Sequence, residues 1–312
     1  MKEISKDELI RGLLTEADLG ETGAMSAPVA AGVIAVYKEW GKTPLETLDE
    51  LRQKFSILKE LPLSYAGRLD PLAEGLMLVL VGGTNKDREQ YLHLDKTYEV
   101  EILFGFKTDT GDLFGVPAVA PTVPSVTNIS EGDEATIKKL SNFSAINFSN
   151  EIKRVCEELV GKQQFPYPVY SSKTVQGKPL FQWMNEGRIS EIEIPKTDVE
   201  IYSIRLLNDG TNDIKEVLGS EILEKIELAL KSVKGDFRYD EIRASWNEVL
   251  KDKSEANFGV IKIECECSSG TYMRVLAEEI GEKMRVPALA YSIKRVKVGI
   301  LGLDSAILSR QD

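Results

Sequence analysis

The stretch LPLSYAGRLDPLAEGLMLVLVGG, residues 61–83, holds an acid under unusual local constraint. Asp70 precedes Pro71, which confines it to extended conformations, while Gly67 permits close backbone approach and the apolar run after Ala73 ties the loop to a core. A carboxylate held in this way suits nucleophilic or acid–base work, because its oxygens are presented in one orientation. A D-P pair is also ordinary turn chemistry, so spacing alone leaves Asp70 between the two roles. The single histidine, His93, removes multi-histidine metal sites, and Ser-His-Asp triads too unless His93 itself serves. Its setting in DREQYLHLDKTYEV, between a helix and a strand, suits a hydrogen-bonded structural residue. Cys156, Cys265 and Cys267 lack C-x-x-C spacing, so neither disulfide nor metal is expected.

A second stretch, QQFPYPVYSSKTVQGKPLFQWMNEGR at 163–188, combines Lys173, Lys178 and Arg188 with Phe165, Tyr167, Tyr170, Phe181 and Trp183. Cations interleaved with flat rings suit splayed-out or single-stranded RNA. An aromatic-rich core hairpin with solvated lysines would read the same way. The net charge of −11 argues against bulk electrostatic attachment to nucleic acid, so any RNA site must be local. The acidic excess gathers in the N-terminal tail, in EGDEA from Glu131, and around residues 212–256.

Several elements must position these residues. GVIAVYKEWGKTPLETLDELRQKF predicts a strand, a turn through Gly41, and a helix with Thr43 as N-cap, Pro44 at its first position and Glu46 closing a capping box. Leu45, Leu48 and Leu51 are its expected buried stripe. AEGLMLVLVGG reads as a buried apolar segment, TNKDREQYLHL as a polar helix, and KTYEVEILFGF as a strand with Tyr98, Val100, Ile102 and Phe104 on one face. Residues 116–150 read as a long loop, and Glu151 to Leu159 as a helix. VEIYSIRLL and GVIKIECECS read as strands, the latter placing Cys265 and Cys267 on one buried face with Ile261 and Ile263. Residues 212–256 predict two amphipathic helices, with Ile222, Ile226, Leu230, Phe237, Ile242, Trp246 and Leu250 as their apolar sides. A helix at about 271–284 precedes the closing IKRVKVGILGLDSAI. Strands without regular crossover helices favour an α+β fold with a mixed, mainly antiparallel sheet and flanking helices.

At 312 residues and 42% apolar, the chain can build a real core. No segment approaches the roughly 20 apolar residues of a membrane helix, and the N-terminus lacks the apolar core of a secretory signal. Cytoplasmic residence without membrane contact is expected. Residues 1–31 read as a mobile extension ahead of a domain at 32–312.

The segment GRLDPLAEGLMLVLVGG resembles the G-x-L-D-P-x-A-x-G signature of TruB-type pseudouridine synthases, the bacterial family acting on uridine 55 of transfer RNA. Four further motifs follow the family's order. GVIAVYKEWGKT is similar to its opening G-x-x-x-x-x-K-x-x-G-x-T, KTYEVEILFGFKTDTGDLFG to its K-x-Y strand and T-D-T-G-D turn, CSSGTYMRVLAEEIG to its C-S-x-G-T-Y-x-R helix start, and SIKRVKVGILG to its closing L-R-R-x-x-V-G. The similarity covers about residues 32–210 and 258–308. It implies the synthase fold and Asp70 as the nucleophile, attacking sugar C1′ or base C6 of a flipped uridine with no cofactor. It also implies Tyr98 as the stacking tyrosine and Arg274 as the partner that keeps Asp70 ionised. Tyr272 and Ile293 would line the pocket with Leu69 and Pro71 as neighbours. Lys38, the opening-motif lysine, joins Tyr65 among the substrate contacts.

Tyr65 stands where the family usually has the histidine that props displaced RNA, which implies retained activity with altered loop discrimination. Glu39 replaces a proline, and YSSK is one residue shorter than the family's Y-S-A-x-K. No PUA-like domain is expected after the closing motif. The acidic insertion at about 212–256 is expected to pack or to bind a protein partner rather than lie along phosphates. The resemblance implies a monomer acting on the T-arm of tRNA. Two alternatives stay open: a non-catalytic RNA-binding or tRNA-folding protein retaining the synthase fold, and a relative of the dyskerin type working with guide RNAs.

Overall fold

The computed structural model describes residues 6–19, 31–118, 145–207, 214–235 and 237–307. In chain order the elements run α1 (Lys6–Arg11), α2 (Glu16–Leu19), β1 (Ala31–Lys38), α3 (Pro44–Lys54), β2 (Leu63–Ala66), β3 (Ala73–Gly82), α4 (Arg88–Leu92) and β4 (Lys96–Phe104). They continue through α5 (Ala145–Leu159), β5 (Gly161–Pro166), β6 (Thr174–Val175), β7 (Lys178–Pro179), α6 (Leu180–Asn185), β8 (Lys196–Leu206) and β9 (Lys215–Leu218). The last are α7 (Gly219–Ser232), α8 (Tyr239–Leu250), β10 (Asn257–Cys267), α9 (Met273–Met284), β11 (Ala288–Val298) and β12 (Leu301–Gly302). Two compact units result: Met1–Tyr98 with Ser232–Lys234 and Lys294–Asp312, and Glu99–Lys231 with Gly235–Ile293.

In the first unit β3 is the central strand. It pairs antiparallel with β1 from Ala31↔Gly82 to Lys38↔Gly75, and with β2 from Leu63↔Val81 to Ala66↔Leu78. The C-terminal part of β11 also adjoins β3, and β12 pairs with β11. Residues Leu76 to Val81 have no exposed surface, which is why β3 reads as an unbroken apolar run instead of an alternating one. Helix α3 starts as its sequence dictates: the Thr43 side chain accepts from the Glu46 amide and the Glu46 carboxylate accepts from the Thr43 amide. Its inner face is Pro44, Thr47, Leu48 and Leu51, however, and Leu45 is 62% exposed. The i, i+3, i+4, i+7 stripe began at the proline, which rotates Leu45 outward.

Part of the N-terminal segment expected to be mobile is docked on this unit. The Leu14 amide donates to the Val33 carbonyl and the Val33 amide to Gly12, while Leu9 is buried in the core with Val33, Leu76, Leu78 and Tyr91. Short helices in a polar stretch carry little propensity signal, so the packing of Leu9 and Leu13 on an apolar shelf decided the outcome. Residues 20–30 lie outside the described set.

In the second unit the strand order is β11-β4-β10-β8-β5, with β9 added to β10. β10 pairs antiparallel with β8 and β9, as does β5 with β8. The ladders of β1 and β2 with β3, and of β8 with β10 and β5, are antiparallel, and isolated parallel bridges join Asp112 to Ala290 here and Leu13 to Val33 and Val36 to Ile307 in the first unit, so the pairing is mixed and mainly antiparallel. Helix α5 packs on α9 and β8. It starts at Ala145, six residues before the expected Glu151, with Phe148 edge-on to Phe104 at 5.3 Å. The expected 116–150 loop otherwise falls mostly on residues outside the described set. Cys156, Cys265 and Cys267 are buried as free thiols. Burial pushes Cys156 up to about 12.

The insertion is more than a helical pair. Lys215–Leu218 form β9 against Val260–Asn257 before α7 and α8 begin, a strand too short to stand out beside the stronger helical periodicity that follows. Ile222, Ile226, Leu230, Ile242, Trp246 and Leu250 are buried as their spacing requires. Phe237 is partly exposed and stacks on Phe114 and Tyr239.

Candidate active site

In the first unit the Asp70 loop is gripped at both ends by buried cations. Gly67 adopts φ +79°, a turn open to glycine, and its carbonyl accepts from Arg295 Nη2 at 3.0 Å. Arg295 Nε donates to the Leu76 carbonyl at 2.6 Å. Beyond the acid, Lys38 Nζ donates to the carbonyls of Ala73 at 2.6 Å, Glu39 at 3.1 Å and Pro71 at 3.3 Å. The Gly41 amide also reaches Pro71, and the Ala73 amide donates to the Asp70 carbonyl at 3.0 Å. The backbone on both sides of Asp70 is thereby tied to strands. Lys38 and Arg295 are essentially without exposed surface. Such cations must be hydrogen-bonded, and here the acceptors are backbone carbonyls, among them those of Gly67 and Pro71 on either side of Asp70. Burial pulls Lys38 down to about 7, with the Asp70 carboxylate opposing and Arg295 reinforcing that shift.

Tyr65 lies in β2 opposite Val79, half-buried, with its carbonyl accepting from Arg88 Nε at 3.2 Å. Tyr98, in β4, is buried. His93 closes α4 as its C-cap, about half exposed and 3.7 Å from Glu89.

In the second unit Tyr272 is the N-cap residue of α9, and its ring meets Tyr167 edge-on at 5.8 Å. Arg274, in the first turn, is 4% exposed. Its Nη1 donates to the Thr110 carbonyl at 2.5 Å and its Nη2 to the Tyr170 carbonyl at 3.4 Å, with Asp112 Oδ2 3.8 Å from Nε. Asp112 is itself engaged, Oδ1 accepting from Thr110 Oγ1 and from the Phe114 amide. Helix start and TDTG turn are therefore one assembly. Ile293 is buried in β11.

Lys38, expected among the substrate contacts, is without exposed surface and donates to the carbonyls of Glu39, Pro71 and Ala73. Sequence reasoning passed over Arg295 as an individual residue. Its signal was parity: Tyr291, Ile293 and Arg295 share the inward face of β11, where an arginine needs a buried acceptor. In the 163–188 stretch Phe165 and Trp183 are core, and several cations already have partners. Lys178 sits over the Trp183 ring and pairs with Glu186, Lys173 sits over Tyr167, and Arg188 pairs with Glu191. Among the described residues no cluster of three or more His, Cys, Asp or Glu could hold a metal, and no helix is long and apolar enough to cross a membrane.

Residues 55–218, just over half of the chain, match the model of the TruB family pseudouridylate synthase N-terminal domain. The chain is 26% identical over 275 residues to tRNA pseudouridine synthase B of Caldicellulosiruptor saccharolyticus, covering 88% of this chain and 70% of that protein. It is 29% identical over 277 residues to the Thermosipho melanesiensis protein of that name, covering 88% and 66%. With tRNA pseudouridine synthase 4 of Saccharomyces cerevisiae it shares 24% over 275 residues, 79% of this chain and 62% of that one. The chain thus spans about two thirds of the length of these relatives. A solved Cbf5-Nop10-Gar1 complex contains a chain that superposes with a TM-score of 0.48 at 15% identity, covering 87% of this chain and 50% of that one.

Proposed function

Because the chain belongs to the TruB family of pseudouridylate synthases, we propose that it isomerises a uridine of transfer RNA, U55 in the T-arm, to pseudouridine with Asp70 as nucleophile. The observation that carries this reading is the doubly gripped Asp70 loop, whose residues are those of the family signature. A nucleophile that must attack and later leave one carbon benefits from a backbone that does not relax between steps. Attack at sugar C1′ or base C6 frees the uracil to turn. The bond from C1′ to N1 breaks, one from C1′ to C5 forms, the C5 proton departs and N1 takes one up, so atoms and electrons balance without a co-reactant.

The uridine must leave its stack to be reached, and Tyr98 is proposed as the flat surface that receives the ring. Tyr65, Tyr272, Arg274 and Ile293 are proposed as further substrate contacts. Lys38 is reassigned, on its burial, to holding the loop.

The test is release of tritium from C5 of uridine in an unmodified transfer RNA transcript. Wild type is expected to release it, and Asp70→Asn to lose roughly a thousandfold or more of the rate. A folded wild type that releases no label from any transcript would favour the non-catalytic RNA-binding reading. A requirement for added proteins on a minimal T-arm stem-loop would favour a guide-dependent one.

A further inference from the structure

The insertion contributes side chains to the assembly around Arg274. Arg238, the N-cap residue of α8, places Nη1 2.7 Å from Asp109 Oδ2 and its guanidinium 4.7 Å over the Tyr170 ring. Asp109 also accepts from the Val116 amide through Oδ1. Eight residues along α8, Trp246 Nε1 donates to the Gly115 carbonyl at 3.0 Å, its ring wedged beside Phe106, which in turn stacks on Phe258. One helix thus grips the 108–116 turn at both ends. The two carbonyls that accept from Arg274 belong to Thr110, the neighbour of Asp109, and to Tyr170, the ring under Arg238.

We propose that Arg238 of the insertion is a positioning residue, which through Asp109 and Tyr170 fixes the two carbonyls that orient the Arg274 guanidinium. This rests on the proposed function only in treating Arg274 as part of the site. The physical case is one of geometry. Arg274 is nearly buried, so its orientation is set by whichever acceptors stand still, and a backbone turn stands still only if its side chains are pinned. Asp109 supplies one pin, Tyr170 the other, and Arg238 joins them with a charge-assisted hydrogen bond and a cation–ring contact. The Tyr170 hydroxyl is pushed up to about 12, chiefly by burial and next by the Asp109 carboxylate, so the ring under Arg238 stays neutral at ordinary pH.

The experiment uses the full-length protein and two readouts. Amide hydrogen exchange at Asp109, Gly111 and Val116 is compared in wild type, Arg238→Ala, Asp109→Asn, and a control, Arg243→Ala, whose partners are Glu227 and Asp240. Exchange in the turn is expected to quicken by tenfold or more in the first two variants only, with α9 amides unchanged. Tritium release at saturating transcript is then expected to fall about tenfold in kcat in both, with KM within twofold, and to be partly restored by Arg238→Lys. Unchanged turn protection in Arg238→Ala overturns the proposal, as does a loss confined to KM or one matched by Arg243→Ala. If the turn loosens as expected while wild type releases no tritium, the positioning role stands and the catalytic reading is what fails.

Discussion

Lys38 shows what a single residue can be asked to do when its environment is built around it. A lysine ammonium has three N–H donors, and it meets three carbonyls, those of Pro71 and Ala73 just after Asp70 and that of its own neighbour Glu39. Burial nevertheless penalises the charge, so the group titrates near 7 in the folded chain against 10.5 as the ordinary value. Between those values the unfolded chain binds the extra proton, and stability therefore rises with pH, by up to about 1.4 kcal/mol per pH unit from this group. Below about pH 7 both states are protonated and the burial cost is fully present. The difference in urea-unfolding free energy between wild type and Lys38→Met is expected to move in favour of wild type between pH 7 and pH 9. A difference that stays flat would show that the three carbonyls hold the proton on Lys38 throughout.

At the scale of elements, the grip on Asp70 depends on how closely β3 and β11 approach. Gly75 has φ +108°, and a Cβ there would lie 2.2 Å from the Arg295 carbonyl oxygen and 2.8 Å from its amide nitrogen, both backbone atoms that cannot swing away. Gly75→Ala is expected to cost at least about 3 kcal/mol, combining strain with displacement of the strand that carries Arg295. Thr43→Ala removes one half of a half-exposed capping box and is expected to cost only about 1 kcal/mol. Chemical denaturation of the two variants checks that ranking, and equal losses would mean that the strands can part without penalty.

For the molecule as a whole, an excess of eleven negative charges leaves little room for a broad phosphate-binding surface. Several cations of the 163–188 stretch are already paired with Glu186 and Glu191 or seated on rings. RNA binding is expected to rest on about three phosphate contacts or fewer, giving a shallow dependence of log affinity on log salt, less steep than about −3. Titrating a transcript between 50 and 200 mM salt measures it. A slope of −6 or steeper would point to a basic surface that the charge distribution does not suggest.

The sequence by itself determined whatever is decided within a few residues or by strict periodicity: the capping box of α3, the shared buried face of Cys265 and Cys267, the constrained turn at Asp70, and the apolar sides of α7 and α8. Those features follow from local sterics and from pattern, and both are written in the chain. Tertiary structure alone decided which groups lost water and to whom they turned. It exposed Leu45 because Pro44 set the helix phase, docked Leu9 because β1 and β3 left an apolar shelf, and committed Lys38 and Arg295 to carbonyls of the loop. It also set Arg238 of the insertion against Asp109, some 130 residues away in sequence. A buried cation looks like a surface cation in a sequence, since the difference lies in acceptors contributed by distant strands.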